Sequence, residues 1–261
     1  VKKLKTGLLG TPFLLSAASL SFAAPLNPPT KPDIFTPTQV TAIQGIVKDY
    51  LINNPQVLAE VAQALKVKQR LEWMKMQQTA IDKNKDAIFN NPNTPSLGAK
   101  KPAVYLVEFF DYQCGHCKSL KSPIDGLLKD NPDLKVIFQE FPIFGKNSET
   151  AARVALAANL QGKYWPVHEA LLSTENPMSE AKALAAAKKA GCDMKQLEKD
   201  MLSKKVTDLL ETSGQLAEAL RLEGTPALIF ANADQKNVEL VPGGMSQEMM
   251  QAAINKQKDS V

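Results

Sequence analysis

The chain has 261 residues, 44% hydrophobic and 22% charged, an ordinary balance for a globular protein with room for one sizeable core and a smaller module. Its formal net charge is +4, and three of the positive charges, Lys2, Lys3 and Lys5, stand together at the start, leaving about +1 for the remainder. Nucleic-acid binding through counterion release needs clustered Lys and Arg, so this distribution excludes it as the main role.

Those lysines precede an apolar stretch from Leu8 to Phe22 that closes with Ser21-Phe22-Ala23-Ala24. A basic head, a short apolar run and small residues at a cut site describe a secretory signal peptide over residues 1–23. The run is too short to span a membrane comfortably. The expected location is the periplasm, with or without association to the outer membrane, where disulfides form and persist. Residues 24–36 are proline-rich and read as an extended lead-in.

Helical periodicity begins after Pro37, with Ile43, Ile46, Val47, Tyr50 and Leu51 on one face, and Asn53-Asn54-Pro55 ends it. A longer helical segment runs from Gln56 towards Phe89. Within it Val67, Met74, Ile81 and Ile88 recur every seven residues, the period of a coiled-coil seam. A helical region over 37–92 is too small for a core of its own. It is expected to bury its stripe on another copy of the chain, making a homo-oligomer, a dimer by preference, through residues 37–90. Asn91 to Pro102 reads as a turn-rich linker.

Val104 to Phe110 is an apolar, β-branched and aromatic run long enough for a buried strand, followed by Asp111-Tyr112-Gln113 and then Cys114-Gly115-His116-Cys117. A helical pattern starts at the cysteines. Strand, short turn and Cys-x-x-Cys at a helix start is the arrangement of a thioredoxin-like redox site. Free N–H groups and the dipole at a helix start stabilise a thiolate on Cys114, which reads as the nucleophile. Cys117, one turn in and facing the sheet, reads as the resolving thiol. Gly115 is expected to let the backbone turn tightly, and His116 to bring a donor or a positive charge near the sulfur. Glu108 is an acid inside an apolar strand, six positions before Cys114. A desolvated carboxyl there would carry the proton of the inner cysteine. The same cysteine pair also occurs in structural zinc sites, but zinc takes four ligands, and this chain has three cysteines and two histidines.

Leu134 to Phe138 is a second strand, and strand–helix–strand of this length implies a parallel right-handed crossover. Helices then dominate from Ser148, a fair N-cap, to about Glu223. Strands return as a hairpin, Ala227–Ala231 and Val238–Val241, and Gln247–Asn255 is a closing helix. The pattern is a redox fold with a helical block inserted between its halves. Gly224-Thr225-Pro226 stands just before the third strand, where a cis-proline would place a bare backbone edge beside Cys114 for an extended substrate. His168, near Tyr164 and Trp165, reads as a packed helix residue, and the third thiol, Cys192, as buried and inert.

Phe109 to Lys118, Phe141-Pro-Ile-Phe-Gly with Ser148-Glu-Thr-Ala-Ala-Arg153, and Gly224-Thr225-Pro226 together resemble the DsbA family. Tyr50 to Pro55 is similar to the N-terminal segment of its branch with a helical oligomerisation region. The resemblance implies an α/β thioredoxin fold with an inserted helical domain, about 146–223, within a domain over 97–261. It implies Cys114 and Cys117 as the redox pair, Glu108 as the buried acid and Pro226 as the cis-proline. Gly-His between the cysteines is similar to protein disulfide isomerase, and Thr225 before the proline to bacterial isomerases. Both imply isomerase capacity beside oxidation.

The resulting expectation is a thiol–disulfide oxidoreductase with no cofactor. Its partners would be unfolded or misoxidised exported proteins and a membrane redox partner. The alternative is a chaperone-like or metal-binding module whose cysteines are structural.

Overall fold

The computed structural model describes residues 34–260, so the expected signal peptide and most of the lead-in lie outside the described residues. Two compact units divide after Ala64.

In the first unit, helix α1 spans Pro37–Asn53. Thr36 caps it with a reciprocal bond to Gln39, Pro37 fills the first turn, and Asn54 closes it onto the Tyr50 carbonyl. No residue of α1 is buried. Helix α2, Gln56–Lys83, begins in this unit and continues into the second.

The second unit holds a five-stranded sheet. Its strands are β1 (Ser96–Gly98), β2 (Val104–Phe110), β3 (Leu134–Glu140), β4 (Ala227–Asn232) and β5 (Val238–Pro242), in the order β1-β3-β2-β4-β5. β2 pairs parallel with β3 and antiparallel with β4. Helix α3, Gly115–Asp130, makes the crossover between β2 and β3. Helices α4 (Lys146–Leu160), α5 (Tyr164–Leu172), α6 (Glu180–Lys189), α7 (Met194–Met201) and α8 (Lys204–Ala219) form the insertion, and α9 (Gln247–Lys258) closes the chain. Ser179, Asp193, Ser203 and Ser246 each accept the N–H three residues on, which is why α6, α7, α8 and α9 start where they do.

Strand β2 is covered on both faces, which explains its unbroken apolar run. Strand alternation sends Leu106, Glu108 and Phe110 to one face and Val107 and Phe109 to the other. The first face packs on α3, the insertion and α9. The second packs on α8 and the end of the long N-terminal helix.

Three expectations are corrected here. The stretch 91–102 is not only a linker, because Ser96–Gly98 pairs with β3 as an edge strand. Gly98 makes that possible: its φ is +93°, and a Cβ there would run into the Leu134 carbonyl. Second, the heptad positions do not form one seam. Ile81 and Ile88 are 1% exposed and sit in the core with Val107, Phe109 and Leu216, whereas Val67 and Met74 are 49% and 51% exposed. After α2 the chain makes a π-helical turn, Asp86–Asn90, that seats Ile88 and Phe89 in that core. Third, α4 starts at Lys146 after Gly145, so Ser148 is not its N-cap.

Candidate active site

The site lies at the C-terminal end of β2, where Asp111-Tyr112-Gln113 turns the chain into α3. The Cys114 N–H donates to the Asp111 carbonyl at 3.1 Å, closing the turn. Cys114 is itself the N-cap of α3, with extended φ and ψ of −72° and 116°. Its Sγ accepts the Cys117 N–H at 3.4 Å and donates to the Thr225 carbonyl at 3.3 Å. A sulfur in the capping position meets the free N–H groups and positive dipole end of a sixteen-residue helix. The Thr225–Pro226 peptide is cis.

Cys117 is fully buried one turn below, against Glu108, which is 1% exposed on the same side of the sheet. Burial pushes the Cys117 thiol well up, and the hydrogen bond to Cys114 adds to it. Burial likewise pushes the Glu108 carboxyl up to about 8. With its pKa near 8, the Glu108 carboxyl reaches both forms close to neutral pH: ionised, it can take the proton that the buried thiol must lose, and protonated, it can return it.

Gly115 and His116 are both exposed in the first turn of α3. Gly115 is not needed for a tight turn: it is helical, and a Cβ there would meet nothing within 4 Å. Among the described hydrogen bonds, His116 enters only through its carbonyl, which accepts the Ser119 hydroxyl at 2.7 Å.

Residues not singled out from the sequence frame this centre. Asp111 is buried, and its carboxylate takes four hydrogen bonds: Gln113 N–H at 2.6 Å, the Ser148 hydroxyl at 2.8 Å, Ile143 N–H at 2.8 Å and Phe144 N–H at 3.1 Å. It thereby clamps the turn before Cys114 to the loop that enters α4. Gln113 extends the clamp, its amide donating to Ser148 and accepting the Met178 N–H at 3.1 Å. Lys118 donates to the Thr174 carbonyl and to Asn176, and partial burial lowers its pKa.

Behind the turn, Tyr112 and Tyr164 both donate to one oxygen of the buried Glu140, at 2.9 and 3.0 Å. Burial holds the Glu140 carboxyl well above the usual carboxylate range, although the two phenols oppose this. With Tyr112 donating to Glu140, its oxygen accepts from Nδ1–H of His168 at 2.9 Å. His168 is packed, as expected, and burial depresses its pKa to about 3, so the ring is neutral. Cys192 is buried and free. Among the described residues no group of three or more His, Cys, Asp or Glu is placed to hold a metal ion.

Fold and geometry together define a thioredoxin-fold protein with an inserted helical domain and a dithiol at a helix start. Residues 105–255 match the DSBA-like thioredoxin domain, and the chain belongs to that family of disulfide oxidoreductases. Residues 39–72 match the N-terminal domain of the copper resistance protein ScsC. Among solved structures, the chain is similar to a thioredoxin-like oxidoreductase from Silicibacter pomeroyi, at 36% identity and a TM-score of 0.64, over 68% of this chain and 99% of that one. It is similar to the thiol-disulfide exchange protein alpha-DsbA2 of Wolbachia pipientis, at 30% identity and a TM-score of 0.63, over 70% and 96%. Salmonella enterica Typhimurium BcfH aligns over 85% of this chain and 96% of its own, at 28% identity and a TM-score of 0.73. The chain spans only 24% of the length of a curated relative it matches, an Na(+)/H(+) antiporter NhaA 1 of Mycolicibacterium gilvum, at 29% identity over 58% of this chain.

Proposed function

We propose that the protein makes and reshuffles disulfides in exported polypeptides through Cys114 and Cys117, in the periplasm and as a homo-oligomer. One observation carries the reading: the Cys114 sulfur caps α3 between a helix N–H and the Thr225 carbonyl, directly above a buried second thiol.

In oxidation, a client thiolate attacks Sγ of Cys114 in the Cys114–Cys117 disulfide. That S–S bond breaks, and Cys117 leaves with the electron pair and takes a proton, with Glu108 as the proton carrier. A second client thiolate then attacks the client sulfur of the mixed disulfide and releases Cys114. The client loses two electrons and the protein gains them, so a membrane-bound thiol oxidant must restore the disulfide. In isomerisation, the Cys114 thiolate attacks a wrong client disulfide, and a later client thiolate releases it, with no net electron transfer. Thr225 and Pro226 present a backbone edge for the client, and His116 tunes the sulfur. Export is supported by the basic and apolar start of the chain. Self-association is supported by Ile46, Val47, Leu58 and Val61 in the first unit, all more than half exposed.

Alkylation trapping in a periplasmic extract tests this. The pair is expected to react in vivo, the Cys114→Ala variant to lose insulin reduction and scrambled-substrate refolding, and the mature chain to begin at Ala24. Undiminished activity in that variant would favour structural cysteines. A glutathione equilibrium near thioredoxin's ~−270 mV would argue against oxidation. A second reading, copper capture by the two thiols, is favoured by the match of residues 39–72 to the copper resistance protein ScsC domain. It predicts stoichiometric copper in the purified protein.

A further inference from the structure

A groove of about 390 Å³ opens beside the cis-proline loop, lined by Trp73, Gln77, Leu222, Pro226, Leu240 and Pro242 among others. One wall is the loop itself. The opposite wall is α2, a helix outside the matched thioredoxin-like domain. Gln77 fastens this wall, its buried amide donating to the Leu220 carbonyl at 2.9 Å at the end of α8. Trp73 stands one turn before it, half-buried. A neighbouring hollow of about 670 Å³ shares Trp73, Gln77 and Arg221, so the depression continues along α2.

We infer that Trp73 selects the client: it grips an apolar side chain next to the cysteine of an extended, unfolded polypeptide whose sulfur reacts at Cys114. The inference rests on the exchange reaction proposed above.

Three features point to this occupant. The groove adjoins the loop that holds the reacting sulfur, because Thr225 both lines it and accepts the Cys114 S–H. The two lie on opposite sides of the loop, since Leu222 and Leu240 pack in the α2–α8 layer and Cys114 in the α3 layer. In an extended strand successive side chains point to opposite sides at about 3.3 Å per residue. A client cysteine facing Cys114 therefore sends its neighbour towards the groove. Finally, the Thr225 hydroxyl is buried without a hydrogen-bond partner at the residue that the groove and the Cys114 contact share. An apolar residue adjoining a free cysteine is accessible in an unfolded chain and hidden in most folded ones. A large, stiff aromatic wall is the usual means of holding one.

The test compares second-order rate constants for oxidation, by the intact disulfide form, of glutathione and of two extended dithiol peptides. One peptide carries Leu beside its reacting cysteine and the other Ser. Trp73→Ala is expected to lower the Leu-peptide to glutathione ratio about tenfold and leave the Ser-peptide ratio within twofold. Trp73→Phe should restore most of the loss, and Arg70→Ala, exposed on the same helix, should change neither. Without any change at Trp73, the mixed disulfide of Cys117→Ser with the Leu peptide should shift tryptophan emission to the blue, and that with the Ser peptide should not. An unchanged ratio in Trp73→Ala, or equal loss for both peptides, would overturn the inference. So would a smaller sedimenting mass for Trp73→Ala, which would give the groove to a second copy of the chain. Wild-type protein that oxidises neither glutathione nor peptide would instead overturn the exchange reaction itself.

Discussion

Glu108 carries a pH signature that the unfolded chain lacks. Folded, it keeps its proton up to about 8; unfolded, it loses it near the ordinary 4.5. Between those values the folded state binds the extra proton, so stability falls as pH rises through the window. His168 runs the other way. Its folded pKa is about 3 against an ordinary 6.5, so stability is lost as pH falls from 6.5 towards 3. Urea unfolding of Glu108→Gln should show a shallower decline between pH 5 and 9 than wild type, with Glu140 leaving a residual slope. The same variant should slow mixed-disulfide resolution by roughly tenfold or more. An unaltered pH–rate profile would remove Glu108 from proton transfer. Glu108 was legible as a lone acid in an apolar run. Glu140 obeys the same logic but was missed, because the second strand was ended at Phe138 and continues to Glu140. Asp111 and Ser148 were illegible for a different reason: their bond spans 37 residues, and no local pattern encodes it.

At the scale of elements, the end of α2 is part of the catalytic unit. Seven-residue spacing marked Ile81 and Ile88 correctly as buried, but periodicity says only that a face is covered, not by what. The covering partner is Val107, Phe109 and Leu216 of the same chain. Ile81→Ala should cost about 2–5 kcal/mol, the usual range for truncating a buried aliphatic side chain. Denaturant midpoints should show that loss equally in dilute and concentrated protein. A loss that vanishes on dilution would return Ile81 to an intermolecular seam. The alternating strands, the capped helices and the insertion were legible because each rests on local chemistry. The edge strand Ser96–Gly98 was not, being three residues long and specified by its pairing with β3.

Across the whole molecule, the two units differ in what covers them. The second has a buried core, although the first part of α2 within it leaves Val67, Leu71 and Met74 exposed, whereas in the first Ile46, Tyr50, Ile52 and Leu58 are 68%, 56%, 64% and 55% exposed. So much open apolar surface on two helices supports the self-association proposed above. Placing charges there, as Val47→Glu with Leu58→Glu, should lower the mass seen in sedimentation equilibrium. Identical masses for wild type and variant would refute association through this region. Removing the chain up to Pro92 would be a poor substitute, since it also strips Ile81, Ile88 and Phe89 from the core.

The Thr225 carbonyl that meets the Cys114 sulfur stands 111 residues further along the chain, and the Met178 amide that steadies Gln113 stands 65 residues beyond it. On the ribosome both thiols therefore emerge long before the groups that hold them in place. An incomplete polypeptide owns the cysteines but not the workshop, and competence arrives only after Thr225 has been added.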